Sequence, residues 1–333
     1  MKNPSLLFTA PGRVEVVDQP MPEPGPDEVL IRARRSLIST GTELMLFGGA
    51  GEDGSKWAEL SQYPQPIGYS HVGEVVEVGE GVSQDWLGRR VDTHCVHAAF
   101  VTCTVGQLRP VPEGVSDEAA TFCTLAEVAM NGLRRVRLQW GESVAVFGLG
   151  ILGQLCVRLC AVAGGGPIFG IELSDDRRHR MPQGPLFHAL DPAEDLRAAV
   201  QQQHRGRLAD VVVELTSDPD AIPGELDLLR DQGRFLVLSS PRGATRFDFH
   251  DRCNRRSYTI VGAHGFSHPA VETPDNPWTG RRHGELFLDW LAAGRLSVDE
   301  LVSHRFAYDR AAEAYALLAE RRQEAMGVVF EWD

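Results

Sequence analysis

The sequence predicts an α/β protein in which a doubly wound parallel sheet is joined to a β-rich, barrel-like domain. Three observations carry this expectation. Up to about Pro112 the chain is a series of short β-branched runs broken by Pro and Gly. Helix-length apolar spacing sets in at Ser116. Beyond it, runs that are apolar throughout alternate with helices, as parallel strands covered on both faces require.

In chain order, "GRVEVVDQP", "DEVLIRARRSLIS", "GEVVEVGEGV" and "RRVDTHCVHAAFVTCT" read as strands of a first domain, placed at residues 1–117. "SDEAATFCTLAEVAMNGLRRVRL" reads as helix, with Ser116 as N-cap and acids in its first turn. Ser143 to Phe147 reads as a buried strand leading into a glycine-rich turn and a helix of about twelve residues. "PIFGIEL" supplies a second strand ending in Glu172, "ADVVVELTS" and "GRFLVLSS" two more, and "SYTIVGAHG" (Ser257 to Gly265) the last of a sheet domain placed at 118–265. In the remaining segment, 266–333, a polar, Pro-rich loop precedes two amphipathic helices around a short strand, and the chain closes on "AMGVVFEW".

The 333 residues are 43% apolar and 24% charged, enough for a sizeable core in a soluble globular protein. A formal net charge of -13 repels polyanions, so nucleic acid is excluded as a partner. No stretch approaches bilayer-spanning length, and "MKNPSLLFTAPGRVEVV" lacks a long apolar h-region and a cleavage site; no membrane association and a cytoplasmic location are expected. The six cysteines form no C-x-x-C, which points to reduced thiols and excludes a four-cysteine zinc knot.

The run Gly148-Leu149-Gly150-Ile151-Leu152-Gly153 follows a strand and opens a helix. Glycines there permit a tight turn and close backbone approach, and the helix N-terminus attracts a dinucleotide pyrophosphate. Glu172, ending the next strand, would accept hydrogen bonds from a ribose 2′-hydroxyl and repel a 2′-phosphate, which favours NAD(H) over NADP(H). The alternative is a solvated acid in "ELSDD", leaving Arg177 or Arg178 to take a phosphate. Thr216, Ser239 and Gly262, at the ends of the later strands, complete the expected cofactor contacts.

With "DEVLIRARRSLISTGTELMLFGG", "PIGYSHVGEVVEVGEGV", "GRRVDTHCV", "LRPVPEGVSDEAATF", "GESVAVFGLGILG" and "GRFLVLSS" in this order, nearly the whole chain resembles the medium-chain dehydrogenase/reductase superfamily. That superfamily includes zinc alcohol and polyol dehydrogenases and zinc-free quinone reductases. The resemblance implies a GroES-like barrel completed by C-terminal residues, a Rossmann domain between, and a cleft where hydride is exchanged with nicotinamide C4. The combination "ISTGTEL", "IGYSHVG" and "TLAE" is most similar to a zinc-free branch that includes the bacteriochlorophyll-pathway hydroxyethyl dehydrogenase.

Matched to the motifs that hold zinc in the family, Thr40 stands for the cysteine ligand, Tyr69 for the histidine, Ser70 for the acid after it, and Thr124 for the third ligand, with Cys123 one residue away. The cysteine lobe for a second metal is missing. Neutral hydroxyls are poor zinc ligands beside thiolate, imidazole and carboxylate, so no metal is expected. A carbonyl must then be polarised, and its proton moved, by side chains. The resemblance makes Tyr69 and His71 the candidates, with Thr40, Thr42 and Thr124 around the metal position and His97 nearby. Tyr69 could instead fill the space of the missing metal, His71 could be a satisfied surface histidine, and His97 could point into the core.

The expected activity is zinc-independent, NAD(H)-dependent interconversion of a secondary alcohol and a ketone on a small polar substrate such as a sugar, cyclitol or secondary metabolite. The rivals are an NADPH-dependent enone or quinone reductase, and a nucleotide-binding protein without catalysis. The family's common dimer implies a homodimer through the last sheet strand.

Overall fold

The computed structural model describes residues 2–49, 54–265 and 267–333. They divide into two compact units, Met1–Leu125 with Gly284–Asp333, and Ala126–His283. The sequence put these divisions at 117/118 and 265/266, the latter beginning at position 266, which lies outside the described residues. Both crossings instead fall where a helix runs continuously from one unit into the other, so no Pro- or Gly-rich linker marks either point.

The first unit opens with strands β1 (Lys2–Ala10), β2 (Arg13–Pro20) and β3 (Glu28–Leu37), then short helices α1 (Thr42–Gly48) and α2 (Lys56–Leu60). Strands β4 (Gln65–Pro66), β5 (His71–Val78), β6 (Arg90–Thr93), β7 (Phe100–Thr104) and β8 (Arg109–Pro110) follow, then α3 (Asp117–Ala120) and α4 (Cys123–Arg135). As expected, Ser116 caps α3: its Oγ accepts from the Ala119 N–H at 3.0 Å. Strand β3 is the hub of the unit, pairing antiparallel with β5 and with β7.

The second unit runs through β9 (Val144–Phe147), α5 (Ile151–Val162), β10 (Ile168–Ile171), α6 (Asp175–His179), β11 (Phe187–Leu190), α7 (Leu196–Gln203), β12 (Ala209–Glu214), α8 (Ile222–Glu225), β13 (Leu229–Val237) and β14 (Thr259–Gly262). Its strands lie in the order β11-β10-β9-β12-β13-β14, all parallel. Counted within this sheet the order is 3-2-1-4-5-6, the doubly wound Rossmann arrangement. Strands β9 and β10 are buried at every position, which is why their sequences show no alternation. Strand β11, unforeseen in the sequence, is a short edge strand of mixed burial.

The C-terminal segment contributes α9 (Gly280–Ala292), β15 (Val302–Ala307), α10 (Ala311–Glu320) and β16 (Gly327–Glu331). Strand β16 pairs with β3, setting Phe330 against Ser36, so the end of the chain completes the first unit's sheet. Tyr315 of α10 and Phe330 of β16 are fully buried in one core with Leu6, Phe8 and Ile38. No helix among the described residues is long and apolar enough to cross a membrane.

Candidate active site

In the second unit, the predicted cofactor residues gather at the carboxyl ends of the parallel strands, where open α/β sheets bind ligands. Gly148 follows β9 with φ +89°, and Gly150 caps α5. A Cβ on Gly153 would lie 1.9 Å from the Gly148 carbonyl oxygen, so only glycine lets the helix start this close to the strand. Gly150 and Gly262 face open space, with nothing within 4 Å of a Cβ placed on either. A crevice open at the helix N-terminus and tight beneath it fits a bound pyrophosphate. Ile151 and Leu152 form the first turn of α5.

Glu172 follows β10, and its carboxylate braces the loop: Oε2 accepts from the Leu149 N–H at 2.9 Å and Oε1 from the Ser174 N–H at 3.0 Å. Each oxygen keeps a further lone pair for a ribose hydroxyl. Arg177 lies 3.7 Å from Glu172, while Arg178 is held by the Glu172 and Leu173 carbonyls and by Asp191 at 3.0 Å. Thr216 and Ser239 do not present free hydroxyls, for both donate to the buried Glu214 at the end of β12. Gly262 ends β14, and its carbonyl accepts from Arg135 at 3.1 Å.

The second cluster belongs to the first unit. Tyr69 lies in the turn just before β5, half-buried, and its hydroxyl donates to Ser39 Oγ. Gly68 makes this turn possible, because its φ is +94° and a Cβ there would come within 2.5 Å of the His97 ring. Burial, then the charge of Glu43, push the Tyr69 phenol up to about 12, against the hydrogen bonds it shares with Ser39 and Thr42, which pull it down. At neutral pH it is therefore a proton donor, not a base. Thr42 opens α1 beside it; Thr124, in the first turn of α4, donates to the Tyr69 carbonyl at 2.9 Å and fixes the turn from below. Thr40, half-buried, precedes α1.

The two histidines sit deeper. His71 is the first residue of β5, wholly buried, and burial followed by the neighbouring His97 holds its imidazole down at about 4, so it is neutral in the fold. His97 is also wholly buried: Nδ1 meets Ser36 Oγ at 2.8 Å and Nε2 meets Glu43 Oε2 at 3.2 Å. Trp332 Nε1 donates to the same Ser36 oxygen at 2.9 Å, leaving the serine proton for His97 Nδ1 and the imidazole Nε2–H for the Glu43 carboxylate. Glu43 further accepts from the Ser39 N–H at 2.8 Å and from the Tyr315 hydroxyl. Thus Tyr69, Thr42 and Thr124 come together, whereas His71 and His97 point into the core.

Sequence reasoning missed Ser39, Glu43 and Tyr315. Glu43 stood in the quoted "ISTGTEL", and an acid in the first turn of α1, at a position the fold buries, was the available signal; Tyr315 had none, being 272 residues away.

Thr40, Tyr69 and Thr124 do not fit a zinc site, because each offers only a neutral hydroxyl in place of a thiolate, imidazole or carboxylate.

The Rossmann sheet, its glycine turn and the barrel sheet closed by the chain's end define the class: an NAD(P)-dependent oxidoreductase with the fold of the medium-chain dehydrogenases, a Rossmann domain joined to a GroES-like domain. Residues 152–276 match a family model described as Zinc-binding dehydrogenase, a span that contains none of Thr40, Tyr69 and Thr124. An L-threonine 3-dehydrogenase from Pyrococcus horikoshii is 27% identical over 94% of both chains. A D-guloside 3-dehydrogenase from Escherichia coli is 25% identical, over 98% of this chain and 99% of its own. The NADH complex of a short chain alcohol dehydrogenase from Escherichia coli CFT073 is 16% identical and superposes with a TM-score of 0.81 over 99% of each chain.

Proposed function

We propose that this enzyme interconverts a secondary alcohol and a ketone on a small polar substrate, using NAD(H) and no zinc. The observation that carries the reading is Tyr69, a phenol kept protonated in the position where zinc relatives place a histidine ligand. Nicotinamide, when bound, would supply or accept the hydride at C4. The protein's own part is to meet the substrate oxygen with Tyr69 as donor: its single proton, which rests on Ser39 Oγ in the free protein, turns to the substrate, and Ser39 and Thr42 hydrogen-bond the phenol oxygen as the proton departs. Thr124 and Gly68 keep the turn in position.

Glu172 supports NAD(H): both of its oxygens are anchored to backbone N–H groups, which fixes a negative charge at the end of β10, where a 2′-phosphate would have to sit. A hydroxylated substrate is favoured because the relatives named above act on threonine and on a guloside. A cytoplasmic homodimer paired through β14 completes the proposal, since that edge strand exposes Thr259, Ile260 and Gly262.

The test combines metal analysis with kinetics on sugar alcohols, hydroxy acids and their ketones, each with NADH or NADPH and their oxidised forms. Metal far below one per chain, activity resistant to chelators and a preference for NAD(H) are expected. Near-stoichiometric zinc lost together with activity would overturn the metal-free reading, and a strong NADPH preference with enone or quinone substrates would favour a C=C reductase.

A further inference from the structure

Two cysteines outside this machinery lie side by side. Cys95 is half-buried in the loop after β6, and Cys103 is buried in β7. Cys95 Sγ donates to the carbonyl of Thr102, the residue beside Cys103, at 3.9 Å, while Cys103 Sγ donates to Gln107 Oε1 at 3.6 Å, so the Cys95 sulfur lies against the backbone next to Cys103. Both side chains pack on one apolar cluster with Val29, Ile31 and Val91.

A second adjacent pair differs. Cys156 and Cys160 are neighbours on α5, but both are wholly buried, and burial drives both thiols up, which leaves them inert. Cys95 has some access to solvent, and the neighbouring Cys103, with a smaller effect of Thr93, brings its thiol down to about 7 against the effect of burial. Cys103 is held in the thiol form by Cys95 and by burial. A partly accessible thiolate with a second thiol at its side is the arrangement of a redox-responsive pair.

We propose that Cys95 and Cys103 form a peroxide-responsive dithiol, in which Cys95 takes the oxidant and Cys103 closes a disulfide. In the first step the Cys95 thiolate attacks a peroxide oxygen: an S–O bond forms, the O–O bond breaks, and the alcohol or water released takes the proton that Cys95 gave up. In the second, Cys103 sulfur attacks the sulfenic acid: the S–S bond forms, the S–O bond breaks, and hydroxide leaves as water with the Cys103 proton. Two thiols are oxidised and one peroxide is reduced. The bridge would tie β7 to the loop that carries His97, two residues beyond Cys95.

The test treats the reduced, full-length protein with hydrogen peroxide, removes the oxidant, blocks remaining thiols with N-ethylmaleimide in denaturant and maps peptides without reduction. The expected result is a Cys95–Cys103 cross-link, lighter by two hydrogens and reversed by dithiothreitol, with four of the six cysteines still alkylated. In Cys103→Ser a sulfenic acid should accumulate at Cys95, trapped by dimedone, and in Cys95→Ser peroxide should consume Cys103 at least tenfold more slowly. If in the wild-type protein both cysteines remain alkylated, or Cys95 passes to sulfinic acid unbridged, or a different pair is linked, the proposal is wrong; this reading does not depend on either variant folding.

Discussion

At the scale of single residues, the case rests on what surrounds one phenol. Tyr69 donates to Ser39, whose backbone N–H is held by Glu43, and the same carboxylate binds His97 and Tyr315. A buried carboxylate that collects donors from three directions is a rigid anchor, since loss of any one would leave a lone pair unmet in a dry site. Replacing Tyr69 by Phe should therefore lower kcat by about 10²-fold, as for the loss of one oxyanion donor, with KM and the circular dichroism spectrum little changed. Unaltered turnover in that variant would remove Tyr69 from the chemistry. Gly68→Ala tests the turn itself: the left-handed φ and the His97 ring should together cost about 2 kcal/mol or more, read from the denaturant midpoint. Of this site, the sequence showed the replaced positions Thr40, Tyr69 and Thr124, because each sits in a local motif. It could not show that His71 and His97 turn inward, since strand alternation leaves both directions open until β3 and the end of the chain are in place. Nor could it show Glu43 meeting Tyr315, a contact made only by folding α10 back onto α1.

At the scale of elements, legibility follows locality. The turn from β9 into α5 was readable because its geometry demands glycine at Gly148 and Gly153 whatever the rest of the chain does. Strands β9 and β10, the centre of β12 and the end of β13 (Phe235 to Val237) were readable from apolar runs, while β11, with only one of its four residues buried, carries no such signature. Strand β14 combines both cases: its existence could be read, but its place at the sheet edge emerges only from the strand order. That edge leaves Ile260 43% exposed, an apolar side chain beside unpaired ladder groups, which is the form of a surface awaiting another strand. If the proposed homodimer forms through β14, Ile260→Lys should convert it into a monomer in size-exclusion chromatography with light scattering, at unchanged secondary structure. A dimer that survives the substitution would place the interface elsewhere.

At the scale of the whole molecule, three buried groups set how stability responds to pH. Burial, then the charge of Glu214, raise Glu225 from 4.5 to about 9, so the folded chain holds this proton where the unfolded chain has released it. Its contribution is complete below about pH 4.5 and declines as the pH climbs towards 9. His71 and His283 act in the opposite sense: burial lowers them from 6.5 to about 4 and about 3, so the unfolded chain takes up protons first and stability drains away as the pH falls below 6.5. The two trends cross on the acid side of neutrality, and between pH 6.5 and 9 only the Glu225 slope remains of the three. There the loss is on the order of 1–3 kcal/mol, the upper end being one full proton over the interval. Glu225→Gln, which keeps the shape of the protonated acid, should match the wild-type melting temperature near pH 5 and exceed it by several degrees near pH 8.8, because the variant has no proton to lose. Parallel melting curves across that range would mean that Glu225 is ionised in the folded protein and that its Oε2, without a partner among the described residues, is met by some other group.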